Sequence, residues 1–189
     1  NQIKKLQGIL DAFGVKQVVL EGIEADDVLA VLTEAIPNSL IISSDKDMLQ
    51  LVENDHHVYS PFKELVITKD NFESTYGIKP EQYLFFRTIV GDSSDGIPGL
   101  KGIGEVTAKK LLKKYGDWLD WFDGDSIRYS ILCDVNKAQR ATLQNCAKDI
   151  LVRNYQVMKL GYLLTVYDVR GILNKYEIQN HPVINDGLV

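Results

Sequence analysis

Seven carboxylates fall in three tight clusters: Glu24, Asp26 and Asp27; Asp45 and Asp47; Asp92 and Asp95. Carboxylates gathered this closely raise one another's pKa, and the grouping is costly unless a cation sits among them. An all-oxygen donor set suits Mg2+ or Mn2+ rather than zinc, and only His56, His57 and His181 could add nitrogen. Seven acids exceed what one Mg2+ needs, since it keeps several waters; two ions about 4 Å apart would use them, the arrangement for in-line phosphodiester hydrolysis. Asp45 and Asp47, at i and i+2 on an extended strand end, are expected to point the same way, and Asp92 and Asp95 can share one face of a turn. Glu24 and Asp27 converge if a helix has begun by Glu24, whereas Asp26 leaves that face. Each cluster also has a plainer role: EADD can cap a helix N-terminus, and DKD can be a solvated turn.

A second pattern follows the third cluster directly. PGLKGIGEVTAKKLL (98–112) has the form of a helix–hairpin–helix, a Pro/Gly turn followed by a G-x-G that opens a helix. Gly102 and Gly104 let the backbone approach a phosphate, and the free N–H groups of the helix start can bind it. Ala108, Leu111, Leu112 and Tyr115 recur at i, i+3, i+4, i+7 and face a core. Lys109 with Lys113, and Lys110 with Lys114, pair at i, i+4 on the opposite side, and Gly116 ends the helix.

A net charge of −5 argues against a nucleic-acid partner, but its distribution argues for one. Setting the seven clustered acids aside turns −5 into +2, and residues 100–116 carry five lysines against Glu105 alone, a local +4. The chain reads as an acidic pocket beside a basic face, with sequence-independent, salt-sensitive contact to a phosphate backbone. The plainer reading of the helix is a lysine-rich solvated surface.

The elements that must position these groups read as α/β, then helical. Ile3, Leu6, Ile9, Leu10 and Phe13 predict a helix stopped by Gly14, and VKQVVLEG (15–22) predicts a buried strand. Val28, Val31, Leu32, Ala35 and Ile36 stripe a second helix ended by Pro37. SLIISS (39–44) is a strand running into DKD, so acids stand at the carboxyl ends of two strands, the edge where open α/β sheets place their ligands. HVYS and ELVIT form a hairpin, Pro80 opens a helix through Val90, and a long helical pattern spans 135–160. The expected architecture is a partly parallel sheet flanked by helices over residues 1–90, then a helical DNA-binding region over 91–189 with its hairpin at 91–116. His56 and His57 read as surface strand residues, Trp118, Trp121 and Phe122 as core, and Cys133 and Cys146 as reduced, buried thiols. No apolar run reaches the ~18 residues of a membrane span, and no signal-peptide pattern occurs, so no membrane partner and a cytoplasmic location are expected.

In this order and at these distances, EADD, SSDKD and GDSSDGIPGLKGIGEVTAKKLL resemble the 5′-nuclease or flap endonuclease family. It includes stand-alone bacteriophage 5′→3′ exonucleases and the N-terminal domain of bacterial DNA polymerase I. AKDILVRNYQVMKL (147–160) is similar to the closing segment of the phage-type members. The resemblance implies a PIN-like fold and a two-metal 5′-nuclease of branched or duplex DNA with a 5′ end. It also implies that Glu24, Asp26, Asp27, Asp45, Asp47, Asp92 and Asp95 hold Mg2+ or Mn2+, directly or through water. Gly99 to Gly104, including Gly102, would then grip the duplex, with Lys101, Lys109 and Lys110 on phosphates and main-chain carbonyls of the hairpin around a monovalent cation such as K+.

One departure bears on the site. Family members begin with a strand bearing Asp-Gly-Asn, a further metal-binding Asp, and a basic helical arch, whereas this sequence opens at the helix before EADD. The resemblance implies that an N-terminal segment or a partner chain supplies them. Two alternatives stay open: a non-catalytic fragment that clamps duplex DNA through the hairpin, and a helical protein-interaction domain of the replication apparatus.

Overall fold

The computed structural model describes residues 2–162 and 169–176. In chain order the helices α1 (Gln2–Ala12) and α2 (Ala25–Ala35) lead to strand β1 (Leu40–Ile42), a 3-10 helix (Asp47–Asn54), β2 (His57–Ser60) and β3 (Leu65–Ile67). Then come α3 (Lys69–Tyr76), a short 3-10 turn (Pro80–Gln82), α4 (Tyr83–Val90), β4 (Gly91–Asp92), β5 (Ile97–Pro98) and α5 (Glu105–Tyr115). The chain continues through α6 (Trp118–Trp121), β6 (Phe122–Asp123), β7 (Ser126–Ile127), α7 (Tyr129–Cys133), α8 (Lys137–Met158) and α9 (Val169–Lys175). Among the described residues no helix is long and apolar enough to cross a membrane.

The chain divides into two compact units, residues 1–39 with 160–189, and residues 40–159. In the first, Val18, Leu20, Ile23, Leu32 and Tyr176 pack around buried Val31 and Ile172. The helices α1 and α2 form where their apolar spacing predicts, but α1 buries none of its residues, and Ile3, Leu6, Ile9 and Phe13 stand exposed. The strand expected over 15–22 does not form. A strand exists only by exchanging hydrogen bonds with a neighbour, and among the described residues no ladder pairs with this run. Its Val19 carbonyl instead accepts the Tyr176 hydroxyl at 2.6 Å.

In the second unit β1 pairs in parallel with β2, and β2 antiparallel with β3, so the predicted strand and hairpin meet in a mixed sheet of order β1-β2-β3. Ile41, Val58 and Ile67 supply its buried side chains, and the 3-10 helix adds Met48, Leu49, Leu51 and Val52. A capping box between Thr68 and Asn71 starts α3, and Gly77, in the left-handed region at φ 76°, stops it. The helical half has α4 packed against both α5 and α8. Phe85, Ile89, Leu111, Leu112 and Leu151 are buried. Trp121 is fully buried and Trp118 and Phe122 partly so, as their spacing predicts.

Three expectations are corrected. Residues 91–189 are not purely helical, because β4–β5 and β6–β7 form two small antiparallel ladders around glycine turns too short to leave a period-2 pattern. His56 is buried, not a surface residue, and burial pushes its pKa down; His57 is exposed. Cys133 is exposed, since α7 turns its Ile131 and Leu132 inward instead. The Cys146 side chain lies outside the described residues, as does His181.

Candidate metal centre and nucleic-acid interface

The third acidic cluster sits on the β4–β5 ladder. Asp92 pairs with Ile97 and Gly91 with Pro98, and residues 93–96 form the turn between them. Asp92 Oδ1 accepts the Ser94 backbone N–H at 2.8 Å and the Ser94 hydroxyl, which organises the turn that carries Asp95. The second cluster is arranged differently from the sequence expectation. Asp47 opens the 3-10 helix instead of extending β1, and its N–H is accepted by Asp45 Oδ1 at 2.9 Å. Asp45 stays exposed, its short side chain accepting the N–H two residues on just ahead of the N-cap Lys46.

Asp47, Asp92 and Asp95 meet: carboxylate oxygens of all three lie within 4.8 Å of one another, and Asp95 is exposed. Asp45 stands outside this set. Glu24, Asp26 and Asp27 belong to the first unit. Glu24 is the N-cap of α2 with extended backbone, so the helix has not begun there, and its i, i+3 relation to Asp27 is not that of a helix face. Asp26 and Asp27 fill the first turn, and Asp27 Oδ1 accepts the Gly161 N–H at 2.7 Å.

The sequence reading missed Arg87. One guanidinium nitrogen donates to Asp47 Oδ1 at 2.9 Å and to Asp92 Oδ2, and side-chain exposures of 10% (Arg87), 19% (Asp47) and 12% (Asp92) make this a largely desolvated triad. The signal lay in FFRTIV: one cation inside an apolar helix needs a buried acid partner. Burial pushes the Asp47 carboxyl up, Arg87 pulls it back, and Asp45, Asp92 and Asp95 push it up further. The Ser94 hydroxyl holds Asp92 low, with burial opposing and Arg87 assisting. Burial works against the Arg87 charge, but Tyr83, Asp47 and Asp92 outweigh it and hold the guanidinium protonated. Three carboxylates less one guanidinium leave a charge of −2, and the all-oxygen set with an exposed member fits a hard divalent cation.

Arg87→Gln is therefore expected to destabilise the metal-free protein by about 3 kcal/mol, because two desolvated carboxylates lose their counter-charge. Excess Mn2+ restores part of the loss by taking over that charge. Thermal unfolding with and without Mn2+ checks it, and an equal loss in both conditions would contradict it.

The hairpin stands on the same ladder. Gly91 has φ 76°, and a Cβ there would lie 2.3 Å from the Gly99 nitrogen; a Cβ on Gly99 would lie 2.3 Å from the Val90 carbonyl group. The two glycines allow the backbones on either side of Asp92 and Asp95 to touch. Gly102 turns the chain at φ 82°, and Gly104 caps α5 with no side-chain bond and open space around its Cα. Leu100 and Ile103 are buried and anchor the loop, while Lys101 and Lys110 point outward. Lys109 lies 3.6 Å from Glu105 and over the Phe86 ring, and Lys114 is held by Asp134.

A cleft of about 470 Å³ opens beside Asp92, with Lys46, Lys63, Arg87 and Lys109 against Asp92 and Glu105 on its walls. Lys46 and Lys63 are cations that the sequence reading left out. Lys63 lies over the Tyr76 ring at 4.7 Å and donates to its hydroxyl at 3.3 Å. A larger cavity of about 620 Å³, lined by β6–β7 and α8 residues such as Asp125 and Lys148, includes none of the three acids.

Asp47, Asp92 and Asp95 form an acidic cluster able to hold a metal ion at the root of a basic hairpin, and comparison with known proteins gives the family. The models "5′-3′ exonuclease, N-terminal resolvase-like domain" and "5′-3′ exonuclease, C-terminal SAM fold" match residues 1–77 and 78–167. The 5′-3′ exonuclease of Buchnera aphidicola (Acyrthosiphon pisum) is 38% identical over 120 residues, 61% of this chain and 42% of that protein. The 5′-3′ exonuclease of Aquifex aeolicus is 35% identical over 163 residues, 84% of this chain and 53% of that protein. In fold the chain is similar to the bacteriophage T5 protein crystallised with metal ions, at a TM-score of 0.73 and 20% identity, over 92% of this chain and 65% of that one. The same T5 flap endonuclease, solved with DNA and metal ions, superposes at a TM-score of 0.71. The chain belongs to the 5′-3′ exonuclease family. It has the resolvase-like α/β part and SAM-like helical part of that family, and spans about half the length of these two curated relatives.

Proposed function

We propose that this chain carries the metal-binding and duplex-gripping part of a structure-specific 5′-nuclease that hydrolyses DNA phosphodiesters with two divalent ions. The observation that carries the proposal is the convergence of Asp47, Asp92 and Asp95 at the root of the glycine hairpin. Mg2+ or Mn2+ held there would supply Lewis-acid stabilisation of the phosphate oxygens. Asp47, Asp92 and Asp95 would hold it; Asp45, Glu24, Asp26 and Asp27 complete the set that the family resemblance implies. Arg87 fixes two of the carboxylates in place before the ion arrives. Lys101, Lys109 and Lys110, together with Gly102 and Gly104, hold the duplex backbone, with Gly99 shaping the loop, and Lys46 and Lys63 extend this basic surface along the cleft. A segment outside these 189 residues, or a partner chain, completes the active site. Removal of flaps and RNA primers in replication or repair, in the cytoplasm of a cell or of a phage host, fits this chemistry.

A monovalent cation such as K+ would sit on main-chain carbonyls of the hairpin, as the family resemblance implies. Carbonyls of the hairpin already face donors from α8: Thr142 at Lys101, Gln139 at Gly102, and both Asn154 and the Arg153 guanidinium at Pro98. The Lys101 and Gly102 carbonyl oxygens each accept one of these donors and keep a second lone pair, which leaves room for a monovalent cation.

Arg87 favours a second reading, a duplex clamp without catalysis, because its guanidinium pairs with both Asp47 and Asp92 and offsets one of their two charges. Mn2+ titration separates the two: saturable binding that Asp95→Asn weakens supports the nuclease, and no binding supports the clamp. Neutralising Lys109 and Lys110 together is expected to weaken duplex binding alike for all sequences. The slope of log K against log[salt] should shallow by about 2, near 0.9 for each lost phosphate contact. Fluorescence anisotropy across a salt series checks this, and an unchanged slope would remove both lysines from the interface.

A further inference from the structure

Asn154, near the end of α8, is a polar side chain with no exposed surface. Its one amide nitrogen donates to two carbonyls far from it in sequence, Thr88 in α4 at 2.9 Å and Pro98 in β5 at 3.0 Å. The amide oxygen accepts the Arg153 guanidinium at 2.8 and 3.1 Å, so the nitrogen faces the carbonyls, and Arg153 reaches the same Pro98 carbonyl at 3.2 Å.

The place of these bonds decides their meaning. Thr88 lies just before the ladder that carries Asp92, and Pro98 pairs across that ladder with Gly91 and leads into the hairpin. The ladder has only two residue pairs, and Pro98 has no N–H to give it. Two strands this short do not hold their own geometry. Apart from the ladder, the Leu100 N–H bonded to the Ile89 carbonyl at 2.8 Å ties the hairpin back to α4. A donor that reaches both strands' flanks from a third element supplies what the ladder lacks. A buried amide is a costly way to fill a core unless its hydrogen bonds are all used, and here they are.

We propose that Asn154, oriented by Arg153, is the positioning residue that fixes the metal-binding acids and the duplex-gripping hairpin at one separation. It touches neither acid; it acts through the Thr88 and Pro98 backbone. The inference rests on the nuclease reading of the site.

The test compares Asn154→Asp, Asn154→Leu and Arg153→Met with Leu143→Ala, which opens a cavity elsewhere on α8 at a buried apolar residue. Mn2+ affinity is read by electron paramagnetic resonance, duplex affinity by anisotropy, and folding by circular dichroism. Both Asn154 variants should lose about tenfold in Mn2+ affinity, the scale for groups that orient metal ligands, and lose duplex affinity alongside. Arg153→Met, at an exposed residue that leaves the core intact, should move both affinities in the same direction by about threefold, and Leu143→Ala should lower the melting temperature with both affinities kept. If the Asn154 variants do not fold, Arg153→Met decides: unchanged affinities overturn the proposal. Equal losses in Leu143→Ala also overturn it, as general destabilisation. A wild-type chain that binds no Mn2+ overturns the nuclease reading itself, whereas a wild type that binds Mn2+ beside indifferent variants overturns only this inference.

Discussion

With the N-terminal region supplied, replacing Asp92 by Asn should lower metal-dependent cleavage of a 5′-flap duplex at least about 10³-fold while leaving duplex affinity within about twofold. Asp92 is the junction of the site: one oxygen is bound by Ser94, the other by Arg87, and both Asp47 and Asp95 lie within reach. An amide in its place keeps an acceptor for the Ser94 N–H, so the turn holds. It removes a unit of negative charge, and the set falls from −2 to −1, too little to hold a divalent ion against water. About 4 kcal/mol of transition-state stabilisation corresponds to the stated factor. The hairpin lysines are untouched, so binding persists. Cleavage time courses and anisotropy on the same preparations check both halves. Wild-type rates would remove Asp92 from catalysis, and equal losses of binding and cleavage would mean that the substitution had unfolded the ladder.

Gly99→Ala should cost more than about 3 kcal/mol, combining backbone overpacking with the failure of the ladder to close. The new methyl would stand 2.3 Å from both the carbon and the oxygen of the Val90 carbonyl, and these are main-chain atoms that cannot rotate away. Because Leu100 N–H bonds to Ile89 and Asp92 pairs with Ile97, the same shift displaces the hairpin and the acids together. For a chain of this length the loss corresponds to a melting temperature lower by roughly 10 °C, with Mn2+ and duplex binding both weakened. Gly104→Ala serves as the contrast, since a Cβ there meets nothing and the backbone is extended. Similar melting temperatures for Gly99→Ala and wild type would refute the packing argument.

Much of this arrangement was legible in the sequence because it rests on local signals. The 3.6-residue spacing of Ala108, Leu111, Leu112 and Tyr115 gave α5, and Gly116 its end. The apolar Leu40, Ile41 and Ile42 between serines gave β1 and the acids that follow it. Residues whose roles depend on distant partners were hidden. The strand expected at 15–22 failed because apolar residues specify burial, not a hydrogen-bonded neighbour. Asp45 and Asp47 are expected on an extended backbone, whereas the chain turns at Asp45 and Lys46 into a 3-10 helix that Asp47 opens, so the i, i+2 relation of a strand does not apply. Arg87 is forty residues from Asp47, and Asn154 more than fifty from either carbonyl it holds, so no spacing rule reaches them. His56 was misplaced for a related reason: its burial comes from packing in the second unit, not from its own polarity.

The central claim is tested most directly by mixing the chain with a 5′-flap duplex and Mn2+, with and without a separate chain covering the N-terminal region that the family resemblance implies. The account predicts divalent-dependent cleavage near the flap junction once that region is supplied, abolished by chelation. Tight, salt-sensitive duplex binding with no cleavage in either mixture would contradict it and leave the clamp.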